Sequence, residues 1–268
     1  MKIAVWKTGH PIADTVADAL HKGLGGELLK VPEIEGGDIH PWIQDYNPQI
    51  AYGILRGANH IFGYCDYYKR DWFNVDNGYF NPGHFNGYYR ISYKGTQAKY
   101  DASFPCKEFE GEFEPIKRMG NQWAMICQPT DYVCQFFGVD KDQWLYNTIS
   151  QLKKSRFHYF IRTKDSKEPL EEHFKECGLV VTFNSSVGWK AIQQGIPCLS
   201  DTTHSVVGSY YNTKSIDELI EKFNTMPRAP LFNFMQSHQF TLEEIEQGKA
   251  WPLINYYTSS SVTIQERQ

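Results

Sequence analysis

The chain has 268 residues, 41% of them hydrophobic and 22% charged, the balance of a globular protein large enough for one big or two small domains. A formal net charge of −4 excludes a broadly basic protein that holds nucleic acid by its field alone, while leaving room for a local basic groove. No apolar run is long enough for a membrane span, and the start MKIAVWKTGH reads as a strand rather than a signal peptide, so a soluble, cytoplasmic chain is expected.

In chain order, Lys2 to Trp6 predicts a short strand, followed by Thr8-Gly9-His10-Pro11 and a helix to about Lys22, with Pro11 suited to its first turn. Strands are expected at residues 27–31 and 49–55, a helix at 58–69, and a strand at 71–75 that ends in Asp76-Asn77-Gly78-Tyr79-Phe80. Residues 81–100, rich in Gly, Tyr, Asn and His, read as an ordered functional loop or β-excursion. Residues 101–120 mix charge with Pro and Gly and read as a linker.

A second alternating series begins at Trp123. It predicts a helix at 141–153, a strand at 157–162, a helix at 167–177, a strand at 179–182, a helix at 186–194, a strand at 197–200 and a helix at 215–224. Thr241-Leu242-Glu243-Glu244 has the form of a capping box opening a helix that ends near Gly248. The expected architecture is α/β, with two Rossmann-like lobes at residues 1–115 and 116–235. A C-terminal helix and tail, 236–268, is expected to pack back on the first lobe.

In such folds ligands bind at the carboxyl ends of the strands, and three segments qualify. Asp76, beside Asn77 and Gly78, is placed to act as general base toward an acceptor hydroxyl, or else simply to bond nearby amides in a turn. Arg162 and Lys164, at another strand end, suit a phosphate clamp or a solvated surface pair. The turn Asn184-Ser185-Ser186-Val187-Gly188 offers hydroxyls and amides at a helix start, where glycine lets a ligand approach the main chain. The last two segments come from consecutive strands and are expected side by side. Weaker candidates are His10, His84 and Arg90 toward the acceptor, and Gln128, Thr130 and Asp131 at the border of a nucleotide.

Six cysteines without a C-x-x-C pair read as reduced structural thiols. The sequences typical of zinc hydrolases, P-loop NTPases and α/β-hydrolases do not occur.

With these residues in hand, the chain resembles the nucleotide-sugar glycosyltransferases of the two-lobed GT-B fold, and in particular their capsule-polysaccharide-biosynthesis group, which includes Kdo transferases. Val75-Asp76-Asn77-Gly78-Tyr79-Phe80 stands where that group has an EDGF segment, Gln128-Pro129-Thr130-Asp131 matches its QPxD, and Arg162-Thr163-Lys164 loosely matches its KPH. Ser185-Ser186-Val187-Gly188 through Gly195-Ile196-Pro197-Cys198 corresponds to its SSxxGxEALxxGKPV unit, with Lys190 where an acidic residue is usual.

The resemblance implies Asp76 as catalytic base, and Arg162, Lys164, Asn184, Ser185, Ser186 and Gly188 around the donor phosphate. Beside it, His10, Asn77, His84 and Arg90 are expected toward the acceptor or the cleft, from their places at strand ends and in the aromatic loop. A nucleotide-sugar is the implied co-substrate, with no cofactor required and a divalent metal not excluded. The stretch from Tyr79 to Ile91 and the tail 239–251 are also similar to phage-encoded relatives. That likeness implies hydroxymethylpyrimidine in duplex DNA as acceptor, with Tyr79, Phe80, Phe85, Tyr88, Tyr89, Arg90, Lys94 and Lys99 gripping a flipped base. A capsular or cell-surface glycan acceptor is the alternative, and a sugar-nucleotide epimerase or nucleotide-binding protein is the reading outside transfer.

Overall fold

Short apolar strands alternating with amphipathic helices build two α/β units, each around its own mostly parallel sheet. The structure is a computed structural model that describes residues 2–31, 39–83, 85–117 and 122–265. One unit comprises residues 1–98 with 238–268, the other residues 99–237.

The first unit opens with β1 (Ala4–Lys7), α1 (Pro11–Leu24), β2 (Glu27–Lys30), α2 (His40–Asp45), β3 (Gln49–Tyr52), α3 (Ala58–Tyr67), β4 (Trp72–Asn77) and β5 (Tyr88–Tyr93). Pro11 stands in the first turn of α1, where its missing N–H costs nothing, and Ala13, Val16, Ala17 and Leu20 form the buried stripe of that helix.

The second unit carries β6 (Trp123–Cys127), α4 (Asp131–Phe137), α5 (Lys141–Lys154), β7 (His158–Arg162), α6 (Leu170–Glu176), β8 (Leu179–Thr182) and α7 (Val187–Gln193). It continues with β9 (Cys198–Leu199), α8 (Val206–Tyr211), α9 (Ile216–Thr225) and α10 (Ala229–Ser237). The chain then supplies β10 (Gln239–Thr241), α11 (Leu242–Glu246) and α12 (Trp251–Gln265) to the first unit.

The six-stranded sheet has the order β10-β5-β4-β3-β1-β2. Its strands β1 to β4 are parallel, while β5 runs antiparallel to β4 and β10 antiparallel to β5. The four-stranded sheet, β7-β6-β8-β9, is parallel throughout. In both sheets the first strand has its successors on opposite sides, which creates a switch point at the carboxyl ends: between β1 and β3 in one, between β6 and β8 in the other.

Aromatic residues fill the first unit. Phe62 of α3 stacks on Trp72 at 4.2 Å, and Tyr257 of α12 stacks on Tyr93 at 5.1 Å. Tyr79 and Tyr89 are core residues, 2% and 0% exposed. The excursion at 81–100 contains a true sheet strand, and of the aromatics expected to grip a base Tyr79 and Tyr89 are buried while Phe80 and Tyr88 are half-buried. Phe85 is exposed, Lys94 pairs with Asp71 at 3.6 Å, and Arg90 is 9% exposed.

The expected linker is also tied down over its described part. Lys107 N–H donates to Ser237 Oγ and Phe109 N–H to Asn233 Oδ1, while Phe109 and Phe113 pack on Phe232. Residues 99–115 thus group with the second unit rather than with the first. No helix among the described residues is long and apolar enough to cross a membrane.

Candidate active site

Antiparallel pairing of β4 with β5 sets Asp76 directly opposite Arg90. Arg90 Nη2 donates to Asp76 Oδ2 at 2.6 Å, Nη1 to the Asn77 carbonyl at 2.5 Å and Nε to the Thr96 carbonyl at 2.9 Å. The ring of Tyr79 lies 5.6 Å from the guanidinium carbon, adding a cation–π contact. The other carboxylate oxygen, Oδ1, accepts the Asn77 N–H at 2.8 Å.

The two partners differ in exposure: the Arg90 side chain is 11% exposed and that of Asp76 is 33%. Asp76 is therefore a solvent-facing carboxylate fixed from behind, with lone pairs left for a ligand. Gly78 lets the chain turn immediately after it. A Cβ there would sit 2.6 Å from the Tyr88 carbonyl oxygen.

Tyr52, at the end of β3, escaped the sequence reading. Its hydroxyl donates to Asn77 Oδ1 at 3.4 Å and its ring meets Tyr89 edge-on at 6.2 Å. Burial, reinforced by the negative charge of Asp76, pushes its phenol well above the ordinary range, so it remains a donor. The only sequence signal was its place just before Gly53 at a strand end.

His10 caps the start of α1 at the switch point of the same sheet, with β3 between its strand and β4. Asp14 shapes that loop by accepting the Thr8 and Gly9 N–H groups at 3.0 Å each, and His10 Nδ1 is buried without a hydrogen-bond partner among the described residues. The structure brings Asp76, Asn77 and Arg90 into direct contact and leaves His10 two strands away. His84 lies outside the described residues.

In the second unit, Gln128 and Thr130 follow β6 and the Asn184–Gly188 turn follows β8, so both flank the switch point. Thr130 caps α4 through its carbonyl, which accepts the Cys134 N–H at 3.0 Å. Asp131 sits on the surface, paired with Lys141 at 2.8 Å.

The expectation that Arg162 lies beside the Asn184 turn is not met: β6 is inserted between β7 and β8, separating the two strand ends by about 10 Å. Arg162 instead binds its own loop, donating to the Thr163 carbonyl at 3.3 Å and the Glu168 carbonyl at 3.1 Å. Lys164 is exposed on that loop.

The turn also differs from a ready-made anion cradle. Ser185 N–H donates to Thr182 Oγ1, Val187 N–H to Ser185 Oγ and Gly188 N–H to the Ser185 carbonyl, so these amides are already engaged. Gly188 is buried, and a Cβ there would lie 3.3 Å from Cys198 Sγ and 3.5 Å from Thr182 Cγ2. Its glycine serves the packing of α7 on the sheet, not the approach of a ligand. Asn184 and Ser185 are half-buried and Ser186 is exposed.

A neighbouring loop was missed altogether. After β9, Asp201 accepts the N–H groups of Thr203 and His204 at 2.9 and 2.8 Å, and Ser205 caps α8. The His204 ring lies 4.1 Å from that of Phe137 and 5.7 Å from that of Phe183.

Burial pushes the His204 imidazole below its usual 6.5, with Asp201 acting in the opposite sense. A histidine whose folded-state value is depressed supports the fold while neutral, and that support fades as pH falls below the unfolded value. The urea midpoint should accordingly drop between pH 7 and pH 5, and His204→Gln should remove that part of the slope. An unchanged slope would show that His204 does not titrate in this range.

No family model matches the chain, and no curated protein matches it. Among solved structures it is similar to KpsC of Thermosulfurimonas dismutans, a β-Kdo 2,4 transferase. The two share 11% identity over 75% of this chain and 79% of that one, with a TM-score of 0.43. A likeness of this degree does not by itself assign an activity.

Proposed function

We propose that the chain is a glycosyltransferase that moves a sugar from a nucleotide-sugar to an acceptor hydroxyl. The observation that carries this reading is Asp76: a solvent-facing carboxylate at the carboxyl end of a parallel strand, held from behind by a buried arginine. In the reaction the acceptor O–H gives its proton to Asp76, the acceptor oxygen bonds to the anomeric carbon, and the bond from that carbon to the phosphate oxygen breaks. The leaving nucleotide needs polar partners, which Gln128, Thr130, Asn184, Ser185 and Ser186 offer around the switch point of the second unit. Nothing in this chemistry requires a metal, so transfer should survive a chelator.

A glycan acceptor is favoured over DNA. Of the side chains expected to unstack a base, Tyr79 and Tyr89 are core residues and Arg90 and Lys94 are engaged in ion pairs, and the net charge of −4 opposes a polyanion. The test is a thermal-shift screen of nucleotide-sugars, since a donor that binds the folded state raises the melting temperature. Incubation of that donor with oligosaccharides, and separately with hydroxymethylcytosine duplex DNA, then follows. Sugar mass gained by the oligosaccharides alone is expected; gain by the DNA alone reverses the choice of acceptor, and gain by neither refutes transfer.

A further inference from the structure

We infer that the first unit binds an internal water molecule between the side chains of Asn74 and Ser92, next to the Asp76–Arg90 pair on the same sheet face. The inference does not depend on the glycosyltransferase reading.

Antiparallel pairing sets Asn74 of β4 directly opposite Ser92 of β5, as it sets Asp76 opposite Arg90. Side chains alternate along a strand, so these residues share one face of the sheet, with the Cβ atoms of each opposed pair about 5 Å apart. Asn74 and Ser92 are both core residues, 1% and 0% exposed. Yet Asn74 Nδ2, Asn74 Oδ1 and Ser92 Oγ have no hydrogen-bond partner among the described residues. Ser92 stands near enough to the buried Tyr79 hydroxyl to act on it, but without hydrogen-bond geometry. That hydroxyl already accepts the Ala98 N–H at 2.9 Å. Native cores seldom leave polar atoms dry, and a cluster of them calls for a shared partner.

The chemistry of the three atoms selects the ligand. The amide nitrogen only donates, the amide oxygen only accepts, and the hydroxyl does either. A direct bond between Asn74 and Ser92 answers one end of the amide and leaves the other dry. A water molecule accepts from Nδ2, donates to Oδ1 and still has a bond to give Ser92, the usual complement for an internal water. The row supplies the room. On this face Ala51 of β3 lies in register with Asn74, so a methyl group flanks the amide on one side and a hydroxymethyl group on the other. Asn74 and Asp76 are successive side chains on this face of β4, and Ser92 and Arg90 on that of β5. The water therefore keeps the interior row beside the candidate base hydrogen-bonded.

The test is a high-resolution crystal structure of the full chain, joined to water relaxation dispersion in solution, which counts internal waters that exchange slowly with bulk. Density for a water within hydrogen-bond distance of the Asn74 amide and Ser92 Oγ is expected. In the double variant Asn74→Leu with Ser92→Ala no polar atom remains to hold it, and the larger leucine fills its place. The dispersion amplitude should then fall by the share of about one water molecule. Where that variant fails to fold, the wild-type crystal structure decides.

A direct hydrogen bond between Asn74 and Ser92 with no density between them would overturn the inference, as would an unchanged amplitude in the folded variant. Neither result bears on Asp76 as the base or on sugar transfer.

Discussion

Asp76→Asn should lower the rate of sugar transfer by about three orders of magnitude, because the amide keeps the shape of the carboxylate but cannot take the acceptor proton. Donor affinity should stay within about twofold in isothermal titration, since the donor is assigned to the other unit. The same substitution leaves Arg90, 11% exposed, facing a neutral partner. Removing one member of a well-buried ion pair costs several kcal/mol, and the solvent reaching Asp76 reduces this to about 2 kcal/mol in urea unfolding. Two separable readouts follow: a catalytic loss far larger than the stability loss explains, and unchanged donor binding. Transfer at the wild-type rate would rule out Asp76 as the base.

Gly195→Ala should produce the largest stability loss among conservative substitutions in the second unit, about 3 kcal/mol in urea unfolding. Gly195 has φ +73°, a conformation that side-chain-bearing residues adopt only with strain, and a Cβ there would stand 2.0 Å from the Pro115 carbonyl oxygen. Relief would require the backbone to move, because that contact is with main chain. The segment concerned is docked by the bonds Glu114 N–H to Gln193 O and Lys117 N–H to Gly195 O. Gly138→Ala is the control: φ is +64° at the end of α4, yet nothing lies within 4 Å of the added carbon. Only the conformational term applies there, about 1 kcal/mol. Equal losses at the two positions would mean that the approach of Pro115 contributes nothing.

Local features were legible in the sequence because they depend on neighbours a few residues away. The box at Thr241 forms as read: its side chain accepts the Glu244 N–H, and Glu244 accepts the Thr241 N–H in return. Pro11 starts α1 as expected, and Asp76 lies at the end of a parallel strand. The strand Gln239–Thr241 was not foreseen, since three residues carry too little periodicity to separate a strand from a turn. Its pairing with β5 reflects a partner roughly 150 residues away in sequence, beyond any local pattern.

Arg90 shows the limit most plainly. In the sequence it belongs to an aromatic, basic stretch that suits a nucleic-acid grip. In the fold it is the cross-strand partner of Asp76, and only the register of β4 against β5 makes it so. Arg162 and the Asn184 turn make the complementary case: consecutive strands in the chain are separated in space by an intervening one.

The sequence by itself determined the alternation of strands and helices, their caps and turns, and the presence of a carboxylate at a strand end, because propensity, capping and apolar period act over a few residues. Strand order, register and burial were decided by tertiary structure alone. Those depend on which faces must leave water together, a condition that involves the whole chain and no single segment of it. They turned Arg90 into the support of Asp76, set Tyr52 against Asn77, and made Gly188 a packing residue.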